Sequence, residues 1–91
     1  MNVYTIRSFD RVFRKLTPSD QALVRAAAEQ LPGSFGRPHV HSGIGIRRVQ
    51  SWYEFRAGLK LRVLFRLNDG DAFLVTIGNH GEIARFVREN A

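Results

Sequence analysis

Residues 59–67 constrain this chain more tightly than any other stretch. Leu59, Leu61, Val63, Phe65 and Leu67 alternate with Lys60, Arg62, Leu64 and Arg66. A side-chain period of two sends the first set to one face of a β-strand and the second to the other. Such a strand needs partners, and its flanks provide them. Asn68-Asp69-Gly70 follows directly, and these residue types tolerate the positive φ of a tight hairpin turn. The next strand is predicted over 72–77, with Phe73, Val75 and Ile77 on one side. Upstream, Ala57-Gly58 turns the chain out of a strand over Trp52 to Arg56, and Gln50-Ser51 turns it out of a strand around Ile44, Ile46 and Val49. Turns this short join antiparallel neighbours, so these strands form a meander.

The N-terminal part obeys a different period. Val3 to Ile6 alternates weakly and reads as a short first strand. Phe9, Val12, Phe13 and Leu16 then fall at helical spacing, in a helix opened by Ser8 or Phe9, with Arg11, Arg14 and Lys15 outside the apolar stripe. Thr17-Pro18-Ser19-Asp20 is a helix start: a Thr cap, Pro at the first helical position and a carboxylate facing free backbone N–H groups. That second helix carries Leu23, Val24, Ala27, Ala28 and Leu31 inward and is predicted to stop at Pro32-Gly33. The two helices are expected to form an antiparallel hairpin over one sheet face. Residues 33–43 read as a loop rich in Gly, Pro, Ser and His. At the other end, Asn79 with Glu82 three residues on is a capping-box pattern, followed by the apolar stripe Ile83, Phe86 and Val87. The predicted order is β-α-α-β-β-β-β-α, an α+β fold, and 91 residues are read as one domain spanning 1–91.

Charge is the first indication of function. Fourteen Lys and Arg stand against eight Asp and Glu, giving +6. A surplus of this size favours polyanions as partners, and clustering decides whether it is more than solubility. Between Ile44 and Leu67 the bases are Arg47, Arg48, Arg56, Lys60, Arg62 and Arg66, and the sole acid is Glu54. Alternation gathers Lys60, Arg62 and Arg66 on one face, opposite Leu61, Val63 and Phe65. If the helices cover the apolar face, the other is open and cationic. Guanidinium forks match phosphate oxygens, so such a face suits a nucleic-acid backbone. A face that is merely solvated mixes both signs. The chain has no Cys, which removes disulfides and thiolate metal sites, and no apolar run of membrane-spanning length. A charge at Arg7 interrupts any leader-like start, so a cytoplasmic location is expected, without a membrane partner.

The order of elements and several motifs resemble the RelE/ParE toxin superfamily of type II toxin–antitoxin systems, and its RelE/HigB-like messenger RNA interferases in particular. The most specific stretch is Trp52-Tyr53-Glu54-Phe55-Arg56 followed by Leu61-Arg62-Val63-Leu64-Phe65, similar to that family's aromatic–polar–Arg strand and the strand after it. Gly36-Arg37-Pro38-His39 and Ile77-Gly78-Asn79-His80 resemble the same family. The resemblance implies a two-helix hairpin packed on a twisted antiparallel sheet. It also implies a toxin that cuts messenger RNA on the ribosome and inhibits translation, and a cognate antitoxin protein that covers its active face. A ParE-like branch inhibits DNA gyrase instead, and a third possibility is a homologue that only binds its antitoxin.

Cleavage of RNA without a metal or other cofactor needs a base for the 2′-hydroxyl, an acid for the leaving 5′-oxygen, and cations for the charge growing on the phosphoryl oxygens. Arg62 matches the family's core-strand Arg and is the first choice for holding phosphate, with Arg56 beside it. His80 stands where RelE-like toxins carry Arg or His and can accept and return a proton, or else serve the helix cap. Glu54 is a candidate base, or a cross-strand partner that orients an Arg. Lys60, Arg47, Arg48, Arg66 and Arg85 are candidate backbone contacts. His39 and His41 are possible supporting residues, and without Cys or a nearby carboxylate they are not expected to bind metal. Phe86 stands where RelE-like members often place a Tyr.

Overall fold

The structure, a computed structural model, describes residues 1–36 and 44–90. Its order is β1 (Val3–Thr5), α1 (Arg7–Lys15), α2 (Pro18–Ser34), β2 (Arg47–Val49), β3 (Trp52–Ala57), β4 (Leu61–Asn68), β5 (Asp71–Gly78) and α3 (His80–Glu89). The predicted order holds throughout. One sheet contains all five strands of the described residues, in the order β1-β5-β4-β3-β2. The strands from β2 to β5 are the antiparallel meander, and the β4–β5 turn has Asp69 at φ 52° and Gly70 at φ 80°. β1 differs from the expectation. It joins the far edge parallel to β5, so the sheet is mixed. The helices and strands lying between these two in sequence supply the long connection a parallel pair requires.

α1 and α2 pack on one sheet face. Phe9, Val24, Ala27 and Leu31 meet Phe55, Val63, Phe65, Leu74 and Ile77 in the main core. Phe55, Val63 and Phe65 are fully buried. Such side chains each contribute about 1.5–3 kcal/mol through loss of apolar contact with water. The Thr17 hydroxyl accepts from the Asp20 backbone N–H at 3.2 Å, as its spacing predicts. α2 runs past Pro32 to Ser34 instead of stopping there. Pro32 gives up its own N–H, and its ring crowds the carbonyl four residues back. Near the helix end this does not stop the last turn, where Phe35 N still donates to Leu31 O at 3.0 Å. The glycine that follows the helix in the left-handed region is Gly36, at φ +79°.

β5 holds the main departure from simple alternation. Its register with β4 shifts between Leu64 and Phe65, because Val75 is one residue too many. Ser8 Oγ donates to the Val75 carbonyl at 2.6 Å, tying α1 to this bulge. The bulge reverses the side-chain parity. Ala72 and Leu74 therefore join Ile77 in the core, while Phe73 turns to the opposite face, beside Arg66 and stacked on Tyr4. The expected common side for Phe73, Val75 and Ile77 does not form.

α3 lies on that opposite face. Ile83 and Val87 bury against Leu64, with Val49, Trp52 and Phe86 around them. Leu64 shares its parity with Arg62 and Arg66, so one apolar residue within the basic set provides the seat. The face expected to be open is therefore partly covered by the chain's own third helix. Among the described residues no helix is long and apolar enough to cross a membrane.

Candidate nucleic-acid interface

Pairing fixes which cations share the α3 side of the sheet. Arg47 pairs with Glu54, and Arg56 with Arg62, so these four side chains project together from β2, β3 and β4. Glu54 is the centre of the group. It is 1% exposed, and its Oε1 accepts from Arg47 Nε at 2.6 Å and from Arg62 Nη1 at 3.2 Å. Two guanidinium groups on one carboxylate leave a net positive charge. A guanidinium has five N–H donors, so Arg62, whose side chain is 25% exposed, keeps donors for an outside anion. Burial beneath two arginines leaves Glu54 no surface on which to meet a substrate hydroxyl. Of the two roles the sequence offers this residue, the geometry suits orienting an arginine and does not suit acting as base.

Arg56 is held differently. A Cβ at Gly45 would lie 2.9 Å from both Arg56 Nε and one terminal nitrogen, so the guanidinium lies directly against the Gly45 backbone. Gly45 sits at φ +54°, and only glycine accommodates both that angle and the approach. Just beside it, Arg56 N donates to Ile44 O at 2.6 Å. Among the described residues no carboxylate pairs with Arg56.

His80 begins α3, two residues after Gly78, which is the cross-strand partner of Arg62. The helix start is capped without it. Asn79 Oδ1 accepts from Glu82 N, and Asn79 N donates to Glu82 Oε1, both at 2.8 Å. The imidazole is exposed and outside that cap. Gly78 permits α3 to sit this close, since a Cβ there would lie 2.8 Å from Glu82 Cβ.

The remaining candidates divide. Arg66 lies on the α3 side of the sheet, exposed and paired with Phe73. Lys60 is not on the β4 face but in the turn before it, lining a cavity with Asp20, Leu23, Leu59, Asn79 and Glu82. Arg48 is on the other face. It pairs with Tyr53, places its guanidinium 5.5 Å from that ring's centroid, and donates from Nε to Gln50 O. Adjacent strand residues point opposite ways, so Arg47 and Arg48 cannot both join one face. Arg85 is exposed midway between Ile83 and Val87, on the outer side of α3. Phe86 meets Trp52 edge-on, ring centroids 5.9 Å apart, and helps seat the helix. His39 and His41 lie outside the described residues. Among the described residues no group of three His, Asp or Glu is arranged to hold a metal ion.

Sequence reasoning passed over Tyr4 and Phe73, whose stacked rings lie 5.2 Å apart beside Arg66. The bulge at Val75 hides Phe73, because strict alternation sends it to the core.

No family model and no curated protein matches the sequence. Solved structures do resemble the fold. The toxin–antitoxin complex RelBE2 from Mycobacterium tuberculosis contains a chain with a TM-score of 0.67 and 17% identity, over 87% of this chain and 96% of that one. YafQ from E. coli gives 0.68 and 10% identity, over 90% and 96%. A metal-bound toxin from Helicobacter pylori gives 0.69 and 18%, over 91% and 98%. An α1–α2 layer, a five-stranded mixed sheet and α3 on its other face, matched over nearly the full length of these proteins, give the chain the fold of the RelE-like toxins.

Proposed function

We propose that this chain is the toxin of a type II toxin–antitoxin pair and acts as a ribosome-dependent messenger RNA endoribonuclease. The observation that carries this reading is the Arg47–Glu54–Arg62 group on a RelE-like fold: one buried carboxylate fixes two guanidinium groups at the surface, with Arg56 alongside. A carboxylate with no exposed surface serves to hold its partners in place. What it holds is a fork suited to two phosphate oxygens.

In this reading Arg62 and Arg56 grip the scissile phosphate and offset the charge that grows on its oxygens as the 2′-oxygen bonds to phosphorus and the bond to the 5′-oxygen breaks. His80 transfers the proton, from an exposed position two residues beyond the partner of Arg62. Glu54 is a positioning residue. Arg47 and Arg66 would meet flanking backbone, with Lys60 in the β3–β4 turn, at the end of the sheet nearer Arg56 and Arg62. A cognate antitoxin is the expected protein partner, as in the RelBE2 complex and in the E. coli DinJ–YafQ complex.

Purified protein added to ribosomes translating a defined messenger RNA tests the proposal. New transcript ends within the translated region support it. Intact transcripts, together with loss of gyrase supercoiling in a parallel reaction, overturn it in favour of a ParE-like action.

A further inference from the structure

The Tyr4–Phe73 pair plays no part in the phosphate site or in seating α3. Tyr4 is 46% exposed, and its ring stacks on Phe73 with centroids 5.2 Å apart and planes 26° from parallel. Arg66, exposed and paired with Phe73, continues the row on β4. Asp71, two residues before Phe73, accepts from Asn2 N at 2.9 Å. Position in the sheet matters most. β1 is an edge strand, so among the described residues no strand lies beyond Tyr4. Among the described residues no second ring stacks on Tyr4. Among the described residues the stack therefore ends on the half-exposed Tyr4 ring, with Arg66 on the other side of Phe73, in a chain of net charge +6.

We infer that this column is a platform for an unpaired nucleobase of single-stranded RNA, which extends the stack on Tyr4 while Arg66, across Phe73, meets a phosphate farther along the same strand. The inference rests on the nuclease reading and adds to it a second anchoring point on the same side of the sheet. A cross-strand aromatic pair serving sheet stability alone needs the Tyr4–Phe73 contact but not the half-exposed outer ring. Every base has a π-face, so such a platform holds the strand without choosing its sequence.

The test is binding of a short, fluorescently labelled single-stranded RNA whose 2′-hydroxyls are all methylated, which prevents cleavage, alongside an abasic strand of equal length. Tyr4→Ala is expected to weaken binding of the base-bearing strand by roughly 5- to 100-fold, the range typical of one base–aromatic stack. Its affinity for the abasic strand stays at the wild-type value, and Tyr4→Trp restores the lost factor. Phe73→Leu keeps an apolar residue in the sheet while removing the lower ring, and is expected to act in the same direction. Equal affinities of wild type and Tyr4→Ala for the base-bearing strand overturn the platform alone. So does an equal loss on both strands, and so does a loss confined to a protein partner. A wild-type protein that binds neither strand overturns the platform, while the nuclease reading is decided separately by transcript ends on translating ribosomes.

Discussion

Glu54 and Arg62 carry the argument at the scale of single residues. Arg62→Ala removes the proposed phosphate ligand but leaves Glu54 paired with Arg47 at 2.6 Å, so the buried carboxylate is not orphaned. The variant is expected to fold with a stability loss of about 1 kcal/mol or less, since the lost partner is partly solvated. Cleavage of messenger RNA is expected to fall roughly 100- to 1,000-fold, as when one donor to a developing anion is removed. Urea denaturation and single-turnover cleavage read the two effects separately. Glu54→Gln should behave differently. The amide keeps the shape and one acceptor but loses the charge that holds two guanidinium groups, so kcat falls roughly 10- to 100-fold with little change in KM. Equal losses in binding and turnover would instead mark Glu54 as a substrate contact. The pairing of Glu54 with cross-strand cations was legible in the sequence, because it is the sole acid in a basic stretch. Its depth was not, because the cover over that face is built from distant residues. Arg48 shows the converse: strict alternation already separates it from Arg47, and composition alone obscures that.

At the scale of elements, α3 decides how much of the basic face remains available. Its own limits were legible, since Asn79 and Glu82 form the capping box their spacing predicts. Its docking site was harder to read. The clue was Leu64, an apolar residue sharing the parity of Arg62 and Arg66, with Val49 and Trp52 as further apolar residues on that side. The bulge at Val75 left no trace in the alternating pattern, which reads Phe73, Val75 and Ile77 as one row although only Ile77 keeps that place. A single inserted residue flips everything before it, and apolar residues on both faces of β5 disguise the flip. Close approach at the β5–α3 junction is open to test. Gly78→Ala places a Cβ 2.8 Å from Glu82 Cβ, which is part of the helix and cannot swing aside. The helix start must shift, at a cost of about 1–3 kcal/mol. The urea midpoint is expected to fall accordingly, and cleavage with it, since His80 moves with the helix. An unchanged midpoint would mean that the junction is looser than described.

The whole molecule combines a surplus of positive charge with an arrangement that concentrates part of it. The surplus alone accounts for attraction to any polyanion. The arrangement accounts for Arg47, Arg56, Arg62 and Arg66 sharing one side of the sheet, with Arg48 and Arg85 directed elsewhere. Affinity for single-stranded RNA is expected to fall linearly on a plot of log affinity against log salt, with a slope of roughly −0.7 for each phosphate contacted. Arg56→Ala should reduce that slope by about one such contact and weaken binding alike for all sequences. Arg85→Ala should leave it unchanged. Arg62, held at the surface by a buried carboxylate, remains the centre of the proposal, and mapping transcript ends in cells that express the protein tests it most directly. Wild-type protein should generate new 5′ ends inside translated messages, and Arg62→Ala, expressed to the same level, should generate none. The same ends from both proteins, or growth arrest with every message intact, would contradict it.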